Sequence, residues 1–200
     1  MRLEAKQITY RYPGAKQNVL ERMDFMIESH ERVGIFAQSG RGKTTFGQLL
    51  AGYRKPSAGQ ILLDGQPLHA KGCCPVQMIW QHPEQAVNPR MKMHRVLAEG
   101  NQIEERIVRE LGIEADWLGR YPGELSGGEL QRFCIARALG EGTRFLIADE
   151  ISTMLDLITQ SQIWHFLLKE ASAREIGLVV ISHDRELLER VCTRVTELVL

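Results

Sequence analysis

Between Ile35 and Thr45 the chain reads IFAQSGRGKTT, an apolar run that ends in a turn holding two glycines, a lysine and two threonines. A turn of this kind can aim successive backbone N–H groups at an anion, and a following helix adds the positive end of its dipole. Gln38, Ser39, Gly40, Arg41, Gly42, Lys43, Thr44 and Thr45 are therefore expected to wrap a phosphate chain. Lys43 would reach the terminal phosphates and the Thr44 hydroxyl would ligate magnesium. Ala37 stands where the usual pattern has its first glycine. In a left-handed backbone its methyl would cost on the order of 1–2 kcal/mol, whereas an extended strand end accepts it. Alone, GRGKTT also fits an ordinary glycine-rich turn.

A second group of chemically capable residues closes RFLIADE, where five mostly apolar positions deliver Asp149 and Glu150. Ligands of open parallel sheets bind at the carboxyl ends of strands. There Asp149 can hold magnesium through water, and Glu150 can orient or deprotonate an attacking water. A solvated acidic pair is the plain alternative. The third group is Ser126, Gly127 and Gly128 in LSGGELQRFCIARAL, ahead of a run with helical spacing. A hydroxyl and free amides at a positive dipole end make a second anion site.

These groups need elements to hold them. Leu3 to Tyr10 and Met23 to Ile27 alternate loosely and read as half-exposed strands, and RVGIFA is a more continuous apolar strand. TTFGQLLAGYR has helical spacing through Phe46, Leu49 and Leu50. GQILLDGQPL carries an Asp64-Gly65 turn that predicts a short hairpin, and VQMIW reads as a strand stopping at Gln81. From about Met91 to Leu139 the apolar residues fall at helical spacing without a convincing strand, which predicts an inserted helical subdomain. RFLIAD and GLVVIS restore buried strands, and ITQSQIWHFLLKEA between them suits a crossover helix. VTELVL reads as a last strand. The expectation is a single α/β domain over residues 1–200: a phosphate-loop core with a mixed or parallel sheet and flanking helices, an N-terminal antiparallel β subdomain, and the helical insert at about 91–139.

Composition narrows the partners. The chain has 200 residues, with 25 Lys plus Arg against 25 Asp plus Glu. Such balance gives no field to attract DNA or RNA, so no nucleic-acid partner is expected. The four cysteines, Cys73, Cys74, Cys134 and Cys192, contain no two-residue-spaced pair for zinc or thiol exchange, and fit a reduced, cytosolic compartment. MRLEAKQITYRYPG is charged where a secretion signal needs an apolar run, and no stretch approaches the roughly 20 apolar residues that cross a bilayer. Any membrane span would come from other chains.

LSGGELQRFCIARAL, placed between the phosphate loop and the acidic strand end, resembles the signature of ATP-binding cassette (ABC) ATPases, and the resemblance runs along nearly the whole chain. It implies ATP and magnesium as ligands and a head-to-tail dimer. In it each ATP lies between one chain's phosphate loop and the other's Ser126, Gly127, Gly128 and Glu129. Glu129 stands where many relatives have glutamine, a variant expected to be mild because the backbone and Ser126 supply the main contacts. Alanine at position 37 is also found among phosphate-loop proteins. The resemblance further implies that Tyr12 in YRYPG stacks on adenine, with Tyr10 as the competing choice that packs into the core. Gln81 would approach magnesium and the attacking water, on a loop that touches the membrane subunits. Asp156 in TMLD would cross to the opposite site, although a helix cap is its local reading. His183 in VISHD would contact the terminal phosphate beside Glu150. Lys43, Gln81, Glu150 and His183 form the implied catalytic set, and Thr44, Gln81 and Asp149 the metal set.

QHPEQAVNPRM, RYPGELSGGE and DEISTMLDLITQSQIWHFL resemble most the peptide and nickel importer branch. This implies an ATP-hydrolysing importer subunit, peripheral on the cytoplasmic face of the cell membrane. Its partners would be permease transmembrane subunits and either a second copy or a related ATPase. Substrate choice in such importers lies with other subunits. Two departures stand out: the stretch between Gln81 and Leu125 is shorter than typical of this branch, and the chain stops at Leu200 within its last apparent strand. A soluble ABC ATPase outside transport, for example in a phosphonate-cleaving complex, and a regulatory subunit that scarcely hydrolyses are the alternative expectations.

Overall fold

The structure is a computed structural model that describes residues 1–36, 40–68, 73–153 and 155–197. It opens with β1 (Arg2–Tyr10) and β2 (Leu20–Glu28), paired antiparallel. β2 starts three residues before the expected Met23, because Leu20 pairs with Tyr10 and is buried. β3 (Arg32–Phe36) leads into the phosphate turn and α1 (Lys43–Leu50). The helical spacing predicted α1 to run to Arg54. It ends at Leu50 instead: Gly52 takes a left-handed φ of 76°, and the amides of Tyr53 and Arg54 fold back onto the Gln48 carbonyl. A glycine just past the last turn is the usual means of stopping a helix in this way.

β4 (Ala58–Leu63) and β5 (Gln66–Pro67) form the predicted hairpin. Asp64 and Gly65 both have positive φ, 49° and 78°, as a two-residue primed turn requires. These strands complete a four-stranded antiparallel sheet, in the order β2-β1-β4-β5. β6 (Val76–Ile79) then enters the second sheet.

Between 91 and 139 lie α2 (Met93–Ala98), α3 (Glu105–Glu110), two single 3-10 turns at Ala115–Gly119 and Pro122–Glu124, and α4 (Gly127–Ala138). No strand occurs there. The helices before α4 are short: left-handed Gly112 follows α3, and Pro122 begins the second 3-10 turn.

β7 (Phe145–Asp149), α5 (Leu157–Ala173), β8 (Gly177–Ser182), α6 (Arg185–Val191) and β9 (Arg194–Glu197) finish the described chain. The last strand was expected over 195–200, of which 198–200 lie outside the described residues. The second sheet has the order β6-β7-β8-β3-β9, and every pairing in it is parallel. β7 and β8 are buried along their whole length, as continuous apolar strands covered on both faces must be. Ile147, Val179 and Ile181 point with Val33, Ile35 and Met78 toward α1 and the antiparallel sheet. Leu146, Ala148, Leu178 and Val180 point toward α4, α5 and α6. This two-residue alternation fixes which side chains leave the sheet at its carboxyl end.

Candidate functional site

Four consecutive events at that sheet end build one cleft. The turn before α1 places Gly40 and Gly42 at left-handed φ of 80° and 72°. A Cβ added at Gly42 would come within 2.9 Å of Val19 Cγ1, so only glycine lets the turn lie against β2's entry. Lys43, with 6% of its side chain exposed, points back over the turn, while Thr44 is exposed and Thr45 buried. Ala37, Gln38 and Ser39 lie outside the described residues. Arg41 is exposed.

β7 delivers Asp149, which is 1% exposed and therefore removed from water. Burial pushes its carboxyl up to about 6; the Thr44 hydroxyl hydrogen bond pulls the other way, the Glu150 charge adds to the rise and Lys43 opposes it. Among the described residues its Oδ1 is buried without a hydrogen-bond partner. An orphaned carboxylate oxygen beside a threonine hydroxyl is a donor set suited to a hard divalent cation such as magnesium. Glu150 follows with a left-handed φ of 47°, a conformation that costs a non-glycine residue about 1–3 kcal/mol unless the surroundings impose it. They do so through both backbone groups. The Glu150 amide donates to Ile181 O at 3.0 Å, and its carbonyl accepts from the Thr153 hydroxyl at 3.0 Å.

The twist turns the Glu150 side chain into the cleft. Oε1 is 3.2 Å from Lys43 Nζ, and Oε2 is 3.1 Å from His183 Nδ1. His183 itself is half-exposed just after β8. Gln81, two residues past β6, lines the same cleft, which has a volume of about 430 Å³ and also holds Tyr12, Val19 and Thr45. Tyr12 is half-buried, its hydroxyl 2.7 Å from Thr45 Oγ1. Tyr10 is 6% exposed and lies in the core; the two rings meet edge to face at 5.1 Å, with the Arg54 guanidinium 4.9 Å from the Tyr12 centroid.

The other anion site opens elsewhere. Ser126 caps α4, its hydroxyl accepting from the Glu129 amide at 3.3 Å while Glu129 Oε2 accepts from the Ser126 amide at 2.7 Å. This is a capping box, legible in the S-x-x-E spacing. It leaves the Ser126 hydroxyl proton and the Gly127 and Gly128 amides at the helix entrance. Among the described residues, no atom beyond its chain neighbours and its own helix backbone stands within 4 Å of a Cβ built on Gly127. Ser126, Gly128 and Glu129 line a cleft of about 450 Å³ with Asp156, Arg132 and Glu114. Among the described residues it shares no lining residue with the Lys43 cleft. Asp156 caps α5 here, accepting from the amides of Ile158 and Thr159, both at 3.0 Å. Bonding by the Thr159 hydroxyl and then by its amide holds the Asp156 carboxyl below the usual range.

The structure thus gathers Tyr12, Gly40, Gly42, Lys43, Thr44, Thr45, Gln81 and Glu150 around one cleft, with Asp149 and His183 bonded to its members. It places Ser126, Gly128, Glu129 and Asp156 around another. The direct Lys43–Glu150 ion pair had no signal in the sequence, because the two residues are joined only by the parallel order of β3 and β7 around β8. Val19 was also missed: it precedes β2 in a loop without a motif.

The family model described as ABC transporter matches residues 20–153. The chain is 33% identical over 200 residues to the nickel import ATP-binding protein NikE of Rhodospirillum rubrum, an alignment covering 90% of the chain and 72% of the relative. It is likewise 33% identical over 210 residues to a putative peptide import ATP-binding protein of Brucella ovis, covering 96% of the chain and 66% of that relative. Among solved structures, a dimeric post-hydrolysis state of the ATP-binding cassette MJ0796 bound to ADP and Pi superposes with a TM-score of 0.83 at 21% identity. That superposition covers 98% of the chain and 94% of the other.

Proposed function

The chain belongs to the ABC transporter family, and from that premise we propose that it is the ATP-hydrolysing subunit of an importer for nickel or peptide. One observation carries the catalytic part of this reading: the carboxylate of Glu150 sits within 3.2 Å of the Lys43 ammonium at the mouth of the phosphate turn. Incoming ATP places its terminal phosphates against Lys43 and the amides of residues 40–45. Lys43 then exchanges its carboxylate partner for phosphate oxygens, and Glu150 becomes available to a water. With Oε2 held by His183, Glu150 orients that water and draws off its proton as the oxygen attacks the γ-phosphorus. The bond from the γ-phosphorus to the bridging oxygen breaks, leaving ADP and phosphate. Thr44 and Asp149, with Gln81 nearby, would hold magnesium, whose charge would offset that of the phosphates. Lys43 and the turn amides stabilise the charge that develops on the transferred group. Tyr12 offers its ring to adenine.

The second cleft is the reason for a dimer. Its free amides and hydroxyl suit a phosphate, yet its lining is separate from the Lys43 cleft, so a second copy of the chain brings it to the first copy's γ-phosphate. Asp156, at the edge of that cleft, crosses with it. The nickel and peptide importer relatives support a permease partner at the cytoplasmic membrane face, approached by the helical segment 91–139 and the loop of Gln81. No helix among the described residues is long and apolar enough to cross a membrane, which fits a peripheral subunit.

Phosphate release by the purified chain tests the reading. Turnover should require magnesium and fall at least a hundredfold in Glu150→Gln, while Lys43→Ala weakens ATP binding itself. Equal background rates for the native chain and Glu150→Gln would contradict it.

A further inference from the structure

A third cleft lies apart from both anion sites and shares no described lining residue with either. It opens beside the carboxyl end of α1, the β4–β5 hairpin and β6, and has a volume of about 580 Å³, within the range of small-molecule sites. Leu49, Ile61, Leu68 and Val76 give it apolar walls. Arg54 and Lys55 are its charged members among the described residues, and both are cations.

Arg54 lacks a counter-charge. It is half-buried, and its Nε donates to Gln48 Oε1 while Nη1 donates to the Tyr10 hydroxyl at 3.0 Å. Both acceptors are neutral. Among the described residues Nη2 has no hydrogen-bond partner and the guanidinium has no ion pair, whereas Arg106, Arg120 and Arg137 each meet a carboxylate. The carbonyl end of α1 offsets only a fraction of a unit charge. A half-buried cation bordering an apolar cavity without a carboxylate favours an anion there, and a guanidinium fork suits a carboxylate through two parallel hydrogen bonds.

The same guanidinium reaches the nucleotide cleft. It stands 4.9 Å from the Tyr12 ring centroid and 5.8 Å from that of Tyr10, in cation–π contact, and Tyr12 lines the Lys43 cleft. Arg54 is thus shared by two clefts. We propose that the 580 Å³ cavity binds an organic anion with an apolar body, an aliphatic carboxylate being the simplest, and that its charge draws Arg54 away from Tyr12 and weakens ATP binding. Each ligand then weakens the other by the same factor. The effect on ATP rests on the ATPase reading above; the cavity site does not.

Calorimetric titration of the nucleotide-free chain with octanoate should show one site per chain, with a dissociation constant on the order of 0.1–1 mM. Acetate has the charge without the body and octanol the body without the charge, so each should bind at least about tenfold more weakly. Arg54→Gln should lose octanoate by a similar factor, while Arg54→Lys, which keeps the charge, should stay within about threefold of native. Saturating octanoate should raise the dissociation constant for ATP about two- to fivefold in the native chain and leave it unchanged in Arg54→Gln. No saturable octanoate binding, octanol bound as tightly as octanoate, or native octanoate affinity in Arg54→Gln would each overturn the site. Should Arg54→Gln fail to fold, Leu68→Glu on the hairpin side reads the same quantity, and native octanoate affinity there would overturn it. An ATP affinity indifferent to bound octanoate would overturn the link through Arg54. A chain that took octanoate but bound no ATP would instead refute the ATPase reading and leave the cavity site standing.

Discussion

Replacing Glu150 by glutamine should make the nucleotide-free chain less stable and its hold on ATP tighter. Lys43 and Glu150 face each other at 3.2 Å with only 6% and 10% of their side chains exposed. Their gross attraction is about 5 kcal/mol at an effective dielectric of about 20, most of it offset by the cost of drawing both charges from water. A net value of about 1.5–3 kcal/mol, typical of hydrogen bonds to charged groups, remains to be disrupted when phosphate arrives. Glutamine keeps the shape and removes the charge, so ATP no longer displaces a carboxylate from Lys43. At 1.4 kcal/mol per tenfold, affinity for ATP should rise roughly 10- to 100-fold. The nucleotide-free thermal midpoint should fall by about 3–12 °C, taking about 2–4 °C per kcal/mol for a chain of this size. Calorimetric titration with ATP and a thermal melt of the nucleotide-free variant read the two quantities separately. An affinity within twofold of native, together with an unchanged midpoint, would show that the pair contributes nothing and that Lys43 does not exchange partners.

Asp149→Asn should stabilise the nucleotide-free chain at pH 8 and abolish magnesium-dependent turnover. Its carboxyl is pushed from 3.8 to about 6 in the fold, so the folded chain binds the proton more tightly than the unfolded one. The native residue's stability contribution is greatest below pH 3.8 and is lost as pH rises through about 6, which amounts to roughly 3 kcal/mol at 1.36 kcal/mol per pH unit. The difference between native and variant melts should be small near pH 4, open between about pH 4 and pH 6, and stay constant above that; a difference that did not change from pH 4 to pH 6 would contradict the burial argument. Gly42→Ala meets Val19 at 2.9 Å and a φ of 72°, so it should cost at least about 1–2 kcal/mol in a melt and raise the KM for ATP. Glu129→Gln retains an acceptor for the Ser126 amide and should leave the midpoint within about 0.5 kcal/mol, whereas Glu129→Ala breaks the capping box and should cost about 1 kcal/mol.

The layout of the site was readable where backbone requirements restrict residue type. Gly40 and Gly42 mark a left-handed turn, the apolar run 145–148 marks a strand buried on both faces, and Ser126 with Glu129 marks a helix start. Each such signal is local, and the structure puts a matching element at each. Pairings that depend on strand order were not readable. Nothing in RFLIADE tells that Glu150 adopts a left-handed twist, or that the twist aims its carboxylate at Lys43 and His183. Gln131 illustrates a third case: within LQRFCIARAL it occupies an ordinary helical position, and only the approach of Trp80 shows which carbonyl its amide meets. The early stop of α1 was written in Gly52, whose turn-forming role the helical spacing of its neighbours concealed.

In the proposed dimer the Ser126 turn of one copy completes the Lys43 cleft of another. Light scattering of the Glu150→Gln chain with magnesium and saturating ATP measures it most directly. The predicted mass is twice the 22.7 kDa of the single chain, returning to the single-chain value when Ser126→Arg is added to block the second cleft. A Glu150→Gln chain saturated with ATP that stayed at the single-chain mass, or a dimer indifferent to Ser126→Arg, would contradict the shared site.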